Sequence, residues 1–340
     1  MPLRLSPAFL AVLLALGTGC ASDKAPAAPV ATDGAAVPPF AVEAPPTFRF
    51  DGVRLATFNT EFLFDGEGDE GQATFDWKGD PAKARAHRDK VARVIRMLDA
   101  DVVMLQEVEN LGVLQMLVEE SLQDLGYQAY LVDGADRFTG QDVGLLSRLP
   151  VSEVGRTDVR TRVGDTETEY GVSKNLWARV ELAGVPTTLV GVHFLARPDD
   201  PERKPRREAQ AEVIRQLVEG EQALGRAVVV LGDFNDFDGS APDRRASAPI
   251  TDVLATIRSA GPSPQDDLVS LLGEVPQAQR FTALYDRNRN GRVDEGELSA
   301  IDHILLDRQL YRKLRDVQYV HAHDPTEGPD HFPIVVTLAE

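Results

Sequence analysis

Between Asp286 and Glu297 the chain reads Asp-Arg-Asn-Arg-Asn-Gly-Arg-Val-Asp-Glu-Gly-Glu. Oxygen-bearing residues fall at each place where a calcium loop needs a ligand. Asp286, Asn288, Asn290, Asp294 and Glu297 would supply side-chain oxygens, Arg292 its backbone carbonyl, and Gly291 the sharp turn. The flanks Phe281–Tyr285 and Ile301–Leu305 read as strands, so this is an isolated EF-hand-like loop and not a helix–loop–helix sensor. The rival reading is an Asn- and Gly-rich hairpin turn with accidental ligands. A second set comprises Asn59, Glu61, Glu107, His193, Asp233, Asn235, Asp302, Asp330 and His331. Carboxylates and carboxamides suit a hard divalent cation, and imidazoles move protons. Taken singly, such a residue is more often a turn former or helix cap than a ligand.

The second set borders apolar runs. Leu55–Phe58, Asp101–Leu105, Val143–Leu146, Leu176–Leu182, Thr187–Val192, Ala227–Leu231, Ile301–Leu306 and Ile334–Leu338 read as strands. Val91, Val94, Ile95 and Leu98 at helical spacing predict a helix from Pro81, a residue suited to a first turn. Leu114, Leu117, Val118 and Leu125 predict a second helix stopped by Gly126, and Ala209, Val213, Ile214 and Leu217 a third. Strands and helices interleave without strict alternation, which suits mixed sheets covered by helices. No internal repeat is evident, and one catalytic domain over 48–340 is the simplest organisation.

Composition narrows the partners. A net charge of −18 excludes a protein that coats nucleic acid through a broad basic face, but not an enzyme that visits a polyanion with the help of a metal. Arg197, Arg203, Lys204, Arg206 and Arg207 form a local basic cluster, either a solvated helix start or a phosphate-contacting edge; Lys174 is a further residue that could approach phosphate. The single cysteine, Cys20, allows no intrachain disulfide. It closes an N-terminal segment with Arg4, an apolar stretch Ala8–Leu16 and small residues, which reads as an export signal over 1–20. Leu16 to Cys20 resembles a lipoprotein processing site, although Leu stands one place further from the cysteine than usual. Residues 21–47, rich in Ala and Pro, read as a disordered tether. The expectation is an exported protein anchored to the membrane through lipid on Cys20, or secreted if Cys20 is unmodified, with no obligate protein partner.

Taken together and in order, the motifs around Asn59, Glu107, His193, Asp233/Asn235, Asp302 and Asp330/His331 resemble the endonuclease/exonuclease/phosphatase superfamily. That superfamily includes deoxyribonuclease I, apurinic endonucleases, neutral sphingomyelinases and inositol polyphosphate phosphatases. The resemblance covers Leu55 to Leu338 and implies an α/β four-layer sandwich, two mixed β-sheets flanked by helices. It implies Mg²⁺ (or Mn²⁺) held by Glu107 with Asn59, Glu61 and Asp330, and Ca²⁺ remains the expectation for the loop. Asp302 would orient His331, His193 would contact the phosphate and donate a proton to the leaving group, and Asp233 and Asn235 would orient nucleophile and phosphate. Either His331 or Asp233 would be the general base. Many relatives carry Asn where this chain has Gly191. The implied activity is phosphodiester hydrolysis with nucleic acid as substrate. The alternatives are a phospholipid or small phosphate ester, and a noncatalytic binding protein stabilised by Ca²⁺. His87, His303, His321 and His323 belong to no motif and are expected to pack or face solvent.

Overall fold

Period-two alternation decides the layers. In the strand Val102–Val108, Val102 and Met104 join one core while Val103 and Leu105 join another. In Ala227–Asp233, Val229 and Leu231 join the first core, and Val228 and Val230 a third. The first core therefore lies between two sheets, and the other two lie between each sheet and its helices. The computed structural model describes residues 51–340 apart from 69, 199 and 262. The export signal, Cys20 and the tether lie outside the described residues.

In chain order the strands are β1 (Val53–Leu63), β2 (Val102–Val108), β3 (Gln128–Leu131), β4 (Asp142–Ser147), β5 (Val151–Gly155), β6 (Arg160–Arg162), β7 (Glu169–Gly171) and β8 (Asn175–Leu182). There follow β9 (Val185–His193), β10 (Ala227–Asp233), β11 (Val269–Ser270), β12 (Ala283–Leu284), β13 (Leu298–Ser299), β14 (Asp302–Leu306), β15 (Leu314–Tyr319) and β16 (Ile334–Leu338). Two six-stranded sheets result, ordered β15-β16-β1-β2-β4-β3 and β11-β14-β10-β9-β8-β5. Each has a parallel central pair, β1/β2 or β9/β10, flanked on both sides by antiparallel strands. Both sheets are mixed and helices cover the outside, giving the expected four-layer α/β sandwich. β6/β7 and β12/β13 are separate two-stranded ribbons.

Helix α1 (Pro81–Leu98) starts where Asp80 accepts from the Lys83 amide at 3.1 Å and ends at Asp99 in the left-handed conformation, in agreement with the helix expected from Pro81. Its buried face, including Val91, Ile95 and Leu98, covers the first sheet. The second predicted helix is shorter than expected: α2 (Leu111–Leu117) gives way to a π-turn at Val118–Leu122 and a 3-10 turn at Gln123–Leu125. Helix α3 (Lys204–Ala223) packs Ala211, Val213, Ile214 and Val218 on the second sheet, together with α4 (Val253–Arg258). A short turn of helix, Arg308–Tyr311, links β14 to β15. No helix among the described residues is long and apolar enough to cross a membrane.

Candidate active site

Antiparallel pairing around parallel pairs puts particular strand ends on one edge. The C-terminal ends of β1, β2, β9 and β10 carry Asn59, Glu107, His193 and Asp233. Their antiparallel neighbours run the other way, so the residues at or just before the starts of β16, β4, β8 and β14 arrive at the same edge: His331, Gln141, Lys174 and Asp302. In register, Asp233 stands beside both His193 and Asp302.

Polar contacts cross from one sheet to the other here. His331 Nδ1 donates to Asp302 Oδ2 at 2.7 Å. Asn59 Nδ2 donates to Asp233 Oδ2 at 3.1 Å and to Glu107 Oε1 at 3.2 Å. His193 Nε2 lies 3.6 Å from Asp233 Oδ2 and 3.8 Å from Glu107 Oε1. Asn235 holds Asp233 from the far side, its amide donating to Oδ1 at 2.8 Å, while its own side chain donates to the Phe194 carbonyl at 3.1 Å. Glu61 donates its backbone N–H to Asn59 Oδ1 at 3.1 Å, and Asp330 Oδ1 stands 3.9 Å from His331 Nε2. All nine residues of the second set thus share one cleft.

Backbone conformation is part of this construction. Alternation along β2 would send Glu107 outward with Val103 and Leu105, but Glu107 has φ +63°, and the register slips between Gln106 and Val108. That bulge swings the carboxylate back to the cleft edge, where it accepts from the Phe62 amide at 3.1 Å. Glu61, Phe62 and Asn235 also have positive φ, at 49°, 50° and 50°. Four non-glycine residues in a sparsely populated region around one cleft mark a place where local strain is held by the surrounding fold.

Gln141, with no predicted role, and Lys174 complete the edge. Gln141 Nε2 donates to Glu107 Oε2 at 2.5 Å, and Lys174 Nζ donates to Gln141 Oε1 at 3.2 Å. Lys174 Nζ also lies 3.5 Å from His193 Nε2 and 3.6 Å from Asp136. The basic cluster divides. Arg207 is fully buried, its guanidinium donating to the Arg197 and Pro198 carbonyls and pairing with Asp236, so it is structural. Arg203 pairs with Asp200, and Arg206 lies over the Tyr170 ring.

Electrostatics set the protonation states. Burial, with Asp330 and Glu107 adding like charge, pushes Glu61 up to about 9. Burial and Asp302 push Asp233 up to about 7. His331 is held well above the ordinary histidine range: burial opposes the charge, but Asp302, Asp330 and Asp233 outweigh it. Burial, reinforced by Lys174 and His331, holds His193 far below that range. At neutral pH His193 is therefore neutral in this setting, with one N–H to offer a phosphate. That state suits hydrogen bonding better than the proton donation expected of it.

A crowd of carboxylates that resists ionising together is what a divalent cation would relieve. Asp233, Asp302 and His331 present ligand atoms within 4.8 Å of one another, and the buried Asp302 Oδ1 has no hydrogen-bond partner. Since His331 is held protonated, the donors open to a metal are oxygens: Glu61, crowded by Asp330 and Glu107, with Asn59 beside them, is a set that fits Mg²⁺ or Mn²⁺.

The 286–297 loop leaves and rejoins the fold through β12 and β13, which pair with each other. Its exit differs from the expectation: a 3-10 turn at Glu295–Glu297 and the short β13 intervene before β14. The four remaining histidines pack within the fold. His87 donates to the Thr60 carbonyl at 2.7 Å and stacks on Trp77, and His321 donates to the Phe281 carbonyl at 2.9 Å and stacks on that ring. His303, on the opposite face of β14 from Asp302, contacts the Asp236 carbonyl at 2.9 Å, and His323 the Pro329 carbonyl at 2.9 Å.

A four-layer sandwich with an acidic, imidazole-bearing cleft between its sheet edges defines a phosphoric-ester hydrolase. The chain belongs to the Endonuclease/Exonuclease/phosphatase family, whose pattern it matches over residues 56–324. It is similar to a 3'-5' exonuclease from Neisseria meningitidis, at 17% identity and TM-score 0.57, covering 85% of this chain and 100% of that one. It is also similar to an endonuclease/exonuclease/phosphatase from Bacteroides vulgatus, at 19% identity and TM-score 0.58, covering 85% of this chain and 99% of that one. An AP endonuclease from Archaeoglobus fulgidus shares 16% identity at TM-score 0.53, covering 84% of this chain and 99% of that one. At these identities the likeness concerns the fold. No curated protein matches the chain by sequence.

Proposed function

We propose that this protein hydrolyses phosphodiester bonds of nucleic acid, using Mg²⁺ or Mn²⁺ in the cleft and Ca²⁺ in the 286–297 loop. The observation that carries the substrate class is a groove of about 300 Å³ that opens beside the Asp136–Lys174 pair. Arg137, Arg156 and Arg160 line it with Phe138 and Tyr170. Guanidinium groups suit a phosphodiester backbone, and an exposed ring such as Phe138, 65% accessible, suits an unpaired base. Asp136 and Asp158 share the lining, and Arg156 pairs with Asp158 at 3.0 Å, which leaves Arg137 and Arg160 as the arginines with no acidic partner among the described residues.

In this reading Glu107, Asn59, Glu61 and Asp330 hold the catalytic metal. A divalent ion there supplies positive charge to the phosphoryl oxygens. Asp233, fixed by Asn59 and Asn235 and already poised near neutrality, takes the proton from the attacking water. His331, kept charged by Asp302, stabilises developing negative charge, while His193 and Lys174 donate to the scissile phosphate. Export and a lipid anchor at Cys20 belong to the same proposal, supported by the N-terminal sequence alone.

The test is incubation of the purified protein with plasmid DNA, RNA and sphingomyelin vesicles, under Mg²⁺ or EDTA, beside His193→Ala. Metal-dependent cleavage of nucleic acid that the variant loses supports the proposal. Cleavage of sphingomyelin alone replaces it with the phospholipid reading. Inertness towards these substrates and small phosphate esters leaves a Ca²⁺-stabilised binding protein.

A further inference from the structure

We propose that the 286–297 loop is a regulatory Ca²⁺ site that sets the alignment of the Asp302–His331 pair through the hairpin carrying it. This rests on the hydrolase reading for its effect on rate, but not for its effect on structure.

The loop contains a built ligand. Glu297, only 8% exposed, accepts from the Arg287 and Asn288 amides through Oε1. Its Oε2 is buried with no hydrogen-bond partner. A buried carboxylate oxygen without a donor is costly unless a cation takes it. Around it, Asp286 accepts from the Asn290 and Gly291 amides, which wraps the loop around a centre. Asn288 and Asn290 both donate to Asp294 Oδ2, at 2.8 and 2.9 Å. Their Oδ1 atoms accept from the Asn290 and Arg292 amides, at 2.9 and 2.8 Å, and each carbonyl oxygen keeps a second lone pair for a cation. The resulting set, three carboxylates and two carboxamides at calcium-loop spacing, favours Ca²⁺ over the smaller Mg²⁺.

Glu297 is followed directly by β13, and the hairpin is tied to both members of the pair. Thr282, fully buried before β12, is the junction. Its Oγ1 accepts from the amides of Ile301 and Asp302, at 3.1 and 3.0 Å. Its carbonyl accepts from the Phe332 amide at 2.6 Å, and its own amide donates to the Ser299 carbonyl at 2.7 Å. Ala283 bridges His331, and the Leu284 amide donates to the Asp330 carbonyl at 2.8 Å. Tyr285 closes the loop neck on the Glu297 carbonyl at 3.0 Å. Val293, inside the loop, packs on the cluster of Phe281, Leu284, Leu298 and Phe332. Drawing Glu297 onto a cation therefore acts on β13, Thr282, and the backbone on both sides of the Asp302–His331 hydrogen bond. Thr282 is a positioning residue.

The test uses the whole protein with Mg²⁺ held saturating and three readouts. Tb³⁺ luminescence, sensitised by the adjacent Tyr285, and a rise in Tm with Ca²⁺ report occupancy. The NMR resonance of the His331 Nδ1 proton reports alignment without any substrate. Turnover of bis(p-nitrophenyl) phosphate reports rate. We expect Ca²⁺ to shift the His331 resonance and to raise kcat several-fold with KM nearly constant. Glu297→Gln should lose Tb³⁺ luminescence and show the Ca²⁺-free kcat at all Ca²⁺ concentrations. Thr282→Val should bind Tb³⁺ normally but lose the Ca²⁺ effect on kcat and on the His331 resonance, and Thr282→Ser should restore both. Absence of Tb³⁺ binding and of a Tm rise overturns the site. Binding with an unmoved His331 resonance and unchanged kcat overturns the coupling. If no phosphate ester is cleaved, the hydrolase reading fails, and the luminescence and NMR arms still decide this one.

Discussion

His331 and Asp302 meet at 2.7 Å across the gap between the two sheets, His331 leading into β16 and Asp302 opening β14. Asn59 and Asp233 meet across the same gap at 3.1 Å. The reacting groups keep their separations only while the sheets keep theirs, so packing between the sheets and chemistry at their edge are linked.

Asp302→Asn keeps the shape of the partner but removes its charge. The imidazole then loses what holds it protonated and oriented, and kcat should fall about 10²–10⁴-fold with a small change in KM. Steady-state kinetics together with a melting curve that stays near wild type would bear this out; a kcat within threefold of wild type, taking ~3 as the limit of a merely structural effect, would count against a catalytic pair.

Lys174→Met removes the cation beside His193. Loss of a phosphate-directed donor should lower kcat/KM roughly 10²-fold. It should also let His193 take a proton at higher pH, because Lys174 is one of the charges holding that histidine down. The acid limb of the kcat/KM profile should move upward, and Lys174→Arg should leave it nearly in place.

Stability without divalent metal should fall on both sides of neutrality. Glu61, at about 9 against an ordinary 4.5, retains a proton when folded that it releases on unfolding, so stability declines as pH rises through that window. His87 and His321, lowered by burial from 6.5 to about 4, gain protons on unfolding, so stability declines as pH falls through theirs. Glu61→Gln in EDTA at pH 8.5 (about half a unit under the folded value) should raise Tm by roughly 2–4 °C, corresponding to about 1 kcal/mol. Mg²⁺ should abolish most of that difference. A lower Tm for the variant in EDTA would refute the crowding of carboxylates.

Gly191 is filled from across the gap. A Cβ there would meet Met104 Sδ at 2.4 Å and Val143 Cγ1 at 2.8 Å, so Met104 takes the space that a side chain at 191 would need. Gly191→Ala should cost about 1–3 kcal/mol by overpacking. In a double-mutant cycle Met104→Ala should recover part of it, with a coupling of at least ~0.5 kcal/mol. Additive effects in chemical denaturation would show that the space is not shared.

The central strands of both sheets are legible in the sequence, and their edges are not. β16, β1, β2 and β4, like β14, β10 and β9, are largely covered on both faces and carry apolar runs, while β8 shows apolar alternation at Leu176, Ala178, Val180 and Leu182. The edge strands β15, β3, β11 and β5 are short or half-exposed and carry little such signal. The site was legible where a polar residue closes an apolar run, as at His193 or Asp233. Gln141 gives no sequence signal and Lys174 only a weak one because both precede their strands, and only antiparallel pairing brings a strand's start to that edge. Glu107 was found by its place in a motif. Its inward direction comes from a left-handed backbone that side-chain periodicity does not encode.

The pairing of β1 with β16 also has a temporal meaning. During synthesis Asn59 and Glu107 emerge long before Asp330 and His331, and the most distant contact in the sheet must close last. Until β16 docks, Asp302 has no imidazole to hold and the cleft lacks one wall. The act that completes the first sheet is thus the same act that brings His331 to Asp302.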